Sequence, residues 1–203
     1  MTMAKFFSRI CFVLCLCASV VSFAQPAPPS HVRAELHRGT RDAGLGSEVH
    51  PTREVNVHIV ARHADGTIFA DEQVHNLRTT GGADWQASVM GASSQPASAN
   101  YIALTNDSAA PAAGDCAAGS TACTLPSEIT TNGLARASST YAHTNGTATW
   151  TMSHTWTATG NQAAQKAGMF NAASSGTMVF EAAFTQVSLV STDTLTITWT
   201  VSI

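Results

Sequence analysis

The segment Thr194-Leu-Thr-Ile-Thr-Trp-Thr-Val-Ser-Ile203 alternates hydroxyl and apolar side chains at every step. Successive side chains on a strand point to opposite faces, so Leu195, Ile197, Trp199, Val201 and Ile203 share one face. Thr194, Thr196, Thr198, Thr200 and Ser202 share the other. A period of two over this length predicts a half-buried strand in a sheet that covers one apolar face.

The rest of the chain reads as short strands separated by turn residues. Val55, Val57, Ile59 and Ala61 alternate with Asn56, His58, Val60 and Arg62, and Ala64-Asp65-Gly66 turns the chain into a second strand over Thr67–His75. Gly81-Gly82 breaks the chain before a short helix over Ala83–Met90, capped by Asp84, with Trp85, Val89 and Met90 on its buried side. Tyr101–Leu104 is a continuous apolar run suited to a central strand. Asn106–Thr124 is a long loop, and one helical turn is expected near Ser127-Glu128-Ile129.

From Leu134 onward a meander is predicted. A strand over Leu134–Thr144 meets Asn145-Gly146, a type I′ hairpin signal. Thr147–Ala158 follows, with Trp150, Met152, His154 and Trp156 on one face. Gln165–Asn171, Thr177–Phe184 and the terminal strand complete the set. Many short strands without long helices predict an all-β fold over residues 54–203. We expect an antiparallel β-sandwich, jelly-roll-like, with one short helix.

The N-terminus is set apart from this fold. Lys5 and Arg9 precede an apolar run from Ile10 to Phe23, and Ser22-Phe23-Ala24 supplies small residues for cleavage before Gln25. Residues 1–24 therefore read as a signal peptide, and residues 25–53 as a flexible Pro/Gly-rich tether. Cleavage would remove Cys11, Cys15 and Cys17 and leave Cys116 and Cys123. Two thiols in an exported chain predict a disulfide closing a small surface loop, worth about 2.5 kcal/mol by loop entropy. The expected location is periplasmic, cell-surface or extracellular, with no membrane association after cleavage. Loss of Lys5 and Arg9 takes the formal net charge from −3 to about −5, which does not suit a nucleic-acid partner.

Residue patterns for catalysis are sparse. His58 and His63 stand five apart near Asp65, Asp71 and His75, but on an alternating strand they face opposite ways, and no metal-ligand spacing recurs. Asp107, Asp115 and Glu128 fall in or beside the long loop and read as solvated carboxylates. His154 has no nucleophile-elbow motif to serve as a base. We expect no enzyme activity, metal or cofactor. The candidate ligand surface is Trp150, His154 and Trp156, joined by Tyr141, whose rings would stack on a glycan if exposed or fill a sandwich core if buried.

Several motifs carry a resemblance when taken in order. They are His75-Asn-Leu-Arg-Thr-Thr-Gly-Gly82, Asn100-Tyr-Ile-Ala-Leu-Thr-Asn-Asp107 running on to Asp115, Gly133-Leu-Ala-Arg-Ala137, Ala167-Gly-Met-Phe-Asn171 running on to Met178, and Ser191-Thr-Asp-Thr-Leu195 running on to Val201. Together they resemble small tailed-phage and prophage tail-associated structural proteins of the tail-fibre kind, over about Val55 to Ile203. The resemblance implies a β-rich virion component that assembles with other subunits and brings no catalytic residues. The signal peptide and the Cys116–Cys123 segment depart from that pattern and point to an exported relative. The expected function is a non-enzymatic structural or adhesive module, a homo-oligomer contacting other protein subunits or a cell-surface glycan. The alternatives are a secreted lectin-like domain or a secreted hydrolase using His154.

Overall fold

The computed structural model describes residues 55–202. The expected signal peptide over residues 1–24, the expected tether over 25–53, and residues 54 and 203 lie outside the described residues. The strands are β1 (Val55–Arg62), β2 (Ile68–His75), β3 (Leu77–Arg78), β4 (Tyr101–Thr105), β5 (Ala137–Ser138), β6 (Thr140–His143), β7 (Thr149–Thr157), β8 (Gln162–Phe170), β9 (Met178–Leu189) and β10 (Thr194–Ser202). One helix, α1, spans Thr80–Gly91. The strands form two antiparallel sheets, ordered β2-β1-β10-β7-β6 and β3-β9-β8-β4-β5, packed as a sandwich.

The terminal pattern that opened the sequence becomes the centre of the first sheet. Strand β10 lies between β1 and β7, with Trp199 opposite Val57 and Met152, and Ile197 opposite Ile59 and His154. Leu195, Ile197, Trp199 and Val201 are at most 2% exposed and meet the inner face of the second sheet, where Phe180 stacks on Trp199 with centroids 6.1 Å apart. Each such side chain contributes about 1.5–3 kcal/mol by leaving water. On the opposite face the hydroxyls pair across strands: Thr155 with Thr196 at 2.8 Å, Ser153 with Thr198 at 2.8 Å, and Thr149 with Ser202 at 3.0 Å.

The chain changes sheets four times among the described residues, and at two of these crossings a single residue makes the corner. Asn76 separates β2 from β3, and Ser139 separates β5 from β6. The single strand expected over Leu134–Thr144 is therefore two short strands in different sheets. Ser139 makes the corner by donating both its N–H and its hydroxyl to the Asn100 carbonyl, at 2.7 and 3.0 Å. After β6, Gly146 has positive φ but Asn145 does not, so the turn is not type I′, which needs both central residues there. The Thr144 carbonyl accepts from Thr147 N–H at 3.1 Å and closes the turn.

The second sheet is covered on its outer face as well. Ala103, Phe170 and Met178 pack there with Cys116, Cys123 and Leu125 from the segment 106–134. The disulfide forms as expected, with Cα atoms 5.4 Å apart, but it is not a surface loop closure. Cys116 and Cys123 are 1% and 6% exposed. The expected helical turn near Ser127 is absent, because Ser127 takes φ of 51° and Glu128 bridges to Thr105 instead. Arg136 fastens this layer: its guanidinium donates to both Glu128 oxygens at 2.9 and 2.6 Å, to the carbonyls of Ala172 and Ser175, and lies 3.6 Å over the Phe170 ring.

Helix α1 begins earlier than its sequence suggests. Thr79, not Asp84, is the N-cap, accepting from Gly82 N–H at 2.9 Å and donating its hydroxyl to the Met178 carbonyl. Gly81 and Gly82 lie within the first turn because nothing larger fits: a Cβ on Gly82 would sit 2.1 Å from the Val179 oxygen, and one on Gly81 2.7 Å from Cys116 Sγ. The helix docks by this glycine end rather than by an apolar stripe, which leaves Val89 40% and Met90 77% exposed. Asp84 accepts from Gly119 N–H at 2.9 Å and ties the helix to the disulfide segment.

Two substitutions test this packing. Gly82→Ala should gain about 1 kcal/mol of helix propensity yet destabilise by a net of about 1–3 kcal/mol through collision with β9, read as a lower urea midpoint. Trp199→Asp should abolish cooperative melting, because it strands a charge where the indole is fully buried.

Candidate functional site

Three aromatic residues, exposed Tyr141 and half-buried Trp85 and Trp150, line one groove. Strand β6 continues the first sheet with Tyr141 opposite Met152 and His143 opposite Trp150. The second sheet ends at the two-residue β5. Helix α1 and the segment 92–100 supply the opposite wall, and a groove of about 610 Å³ remains between them. Trp85, Tyr141, Trp150 and Met152 line it, with the amides of Gln95 and Asn100 at its margin.

Each aromatic has a local cause for its position. Trp85 Nε1 donates to the Ala97 carbonyl at 2.9 Å, which pins the segment 92–100 against the helix while the ring faces the groove. Trp150 is half-buried against the core and lies with its ring centroid 6.1 Å from that of Tyr141, tilted by 40°. Tyr141 is 57% exposed because its strand is an uncovered edge. None of the residues lining the groove carries a charge, so a matching surface is neutral, with apolar area to bury against the rings.

The sequence-predicted surface of Trp150, His154 and Trp156 is only partly assembled. Trp150 and Tyr141 do meet in the groove. Trp156 is 3% exposed, and its Nε1 donates to the Ala135 carbonyl at 2.8 Å, so it belongs to the core rather than to a ligand surface. The reason is register: Trp156 pairs with Leu195 near one end of the β7–β10 ladder, whereas Trp150 pairs with Val201 near the other, where the groove opens. His154 lies edge-on to Trp156 at 4.5 Å, and its Nδ1 is 2.8 Å from the Ser138 carbonyl. It supports the β5–β6 corner. Trp85 and Asn100 complete the groove, and only the helix position could have hinted at Trp85.

The other candidate residues disperse. His58 Nε2 is 2.7 Å from Asp71 Oδ1 across the β1–β2 pair. His63 Nδ1 is 3.1 Å from Asp193 Oδ1 at the opposite end of β10 and stacks on Phe69 at 4.3 Å. Among the described residues no three His, Cys, Asp or Glu side chains converge as a metal site would require. The loop carboxylates are not merely solvated. Glu128 holds Arg136 at 2.6 Å, and Asp107 pairs with Lys166 at 2.8 Å.

Asp193 closes the turn into β10 and is 3% exposed. The Val190 N–H donating to its carboxylate, with help from His63, holds its pKa below the ordinary 3.8. A carboxylate depressed in the folded state adds stability that is present above the unfolded pKa and lost as pH falls through the folded one. Asp193→Asn should therefore lower the melting temperature near neutrality and flatten its decline below pH 3.8, as followed by circular dichroism.

No protein-family model, curated protein or solved structure matches this chain, so the chemistry of the groove rests on its own residues.

Proposed function

We propose that this chain is a non-enzymatic, exported structural or adhesive module that contacts other protein subunits through its aromatic groove. The observation that carries the reading is the uncharged groove of Trp85, Tyr141 and Trp150, continued outside by exposed Val89 and Met90. Aromatic side chains and methionine are the residues that dominate protein contacts, because they bury large area at low entropic cost. The buried Cys116–Cys123 disulfide supports export, since such bonds persist in oxidising compartments. The resemblance to tail-associated phage proteins is consistent with a multimeric, β-rich component, a virion part if phage-encoded. A cell-surface glycan is the second reading, favoured by the Tyr141 and Trp150 rings beside the Asn100 amide.

The test is the oligomeric state of the secreted chain by size-exclusion chromatography with light scattering, beside adhesion to cell surfaces and to a glycan array. Wild type should assemble or adhere, and Tyr141→Ala should weaken either by about tenfold or more, as hot-spot losses do, with an unchanged melting curve. Glycan binding by a monomer that Tyr141→Ala abolishes would select the second reading. A strictly monomeric wild type that adheres to nothing overturns the proposal.

A further inference from the structure

Beneath the disulfide layer lies a group that the groove does not use. Lys166 on β8 is one of only two lysines in the chain, Lys5 being the other, and its side chain is 1% exposed. Its Nζ is 2.8 Å from Oδ2 of Asp107, which follows β4, and 3.4 Å from Oε1 of Glu181 on β9. Strands β4, β8 and β9 are consecutive in the sheet, so three neighbouring segments deliver an amine and two carboxyls to one point. Glu181 is fully buried, and neither of its oxygens has a hydrogen-bond partner among the described residues. Gly168 stands directly opposite Glu181, and the space a side chain there would take is filled by Met178, Phe170 and Leu125, so the pair lies under apolar cover.

We propose that Lys166 and Asp107 condense to an intramolecular amide, with Glu181 as the catalytic proton shuttle. In the ion pair the ammonium passes one proton to Asp107, giving a neutral amine beside a neutral carboxyl. The Nζ lone pair attacks Asp107 Cγ while the Glu181 acid proton moves to the carbonyl oxygen. The Glu181 carboxylate then takes a proton from nitrogen, delivers it to the departing hydroxyl, and regains its own proton from the oxygen that becomes the amide carbonyl. One C–N bond forms, one C–O bond breaks, water leaves, Glu181 is restored, and no oxidant or reductant is needed. The released water has a way out, since the Asp107 side chain is 25% exposed.

Three physical terms favour this step. Fixed positions replace a bimolecular encounter, and reacting groups about 3–3.5 Å apart are in near-attack range. Two isolated charges are costly in a low-dielectric interior, and an amide carries neither. The shuttle is poised: burial, and next the nearby Asp115 carboxyl, push Glu181 up to about 7, so it can hold and release a proton at neutral pH. Burial lowers the Lys166 pKa, but Asp107 and Glu181 outweigh it and keep the amine paired in place.

Intact-mass spectrometry of the reduced, denatured, secreted chain decides the matter. Wild type should weigh less than its sequence by one water, and fragmentation should show Lys166 joined to Asp107 and inert to amine-directed reagents. Asp107→Ala and Lys166→Met should show full sequence mass, and wild type should migrate faster than either on a denaturing gel. Glu181→Gln should keep the full mass in a protein whose near-ultraviolet circular dichroism is native. A folded wild type of full sequence mass with a reactive Lys166 overturns the proposal. A Glu181→Gln chain that loses water as completely as wild type overturns the role assigned to Glu181.

Discussion

The domain depends on one constraint: β8 over Lys166–Phe170 and β9 over Met178–Ala182 are buried on both faces. Their inner side chains, including Met169, Phe180 and Ala182, meet the Trp199 face of β10. Their outer side chains, including Phe170 and Met178, need a second cover, and no third sheet among the described residues provides it. The cover is the irregular segment 106–134, whose backbone cannot satisfy itself as a strand would. Several otherwise separate features follow from that need. The disulfide limits the segment's freedom, Arg136 clamps it to the 171–177 turn, and Thr105 donates to the Pro126 carbonyl at 2.6 Å. The helix docks through glycines because Val179 and the disulfide leave room for backbone alone.

The same burial explains where surface chemistry can exist. Double coverage holds over Lys166–Phe170 of β8 and Met178–Ala182 of β9, and the aromatic groove opens away from it, beside β6 and helix α1. A groove at the end of a sandwich costs little core, since Trp150 still packs on it with one edge while Tyr141 projects outward. Under the cover, the environment is the reverse: Lys166 and Glu181 are buried, and of the three charged groups only Asp107 is partly exposed. Polar groups in such a place must pair, neutralise or react.

The strands were legible where one face is wet. Strands β1, β7 and β10 carry clean alternation, and their positions follow from it. The helix start was not legible, because Gly81-Gly82 reads as a break when its neighbours in space are unknown. The Leu134–Thr144 run reads as one strand, since local pattern does not reveal that Ser139 is held at a corner by Asn100. Tyr141, Trp150 and Trp156 share a pattern and a face, yet only distance along β7 separates the groove from the core.

By itself the sequence determined the fold class, the cysteine pair and the two faces of the terminal strand, because periodicity and turn chemistry act between residues close in the chain. Tertiary structure alone decided that the disulfide is buried, that Trp156 is core while Trp85 lines a groove, and that Asp107, Lys166 and Glu181 share a point. Asp107 and Lys166 are 59 residues apart in sequence. Their meeting depends on which strands are neighbours, and sheet order is set by the packing of the whole rather than by any local pattern.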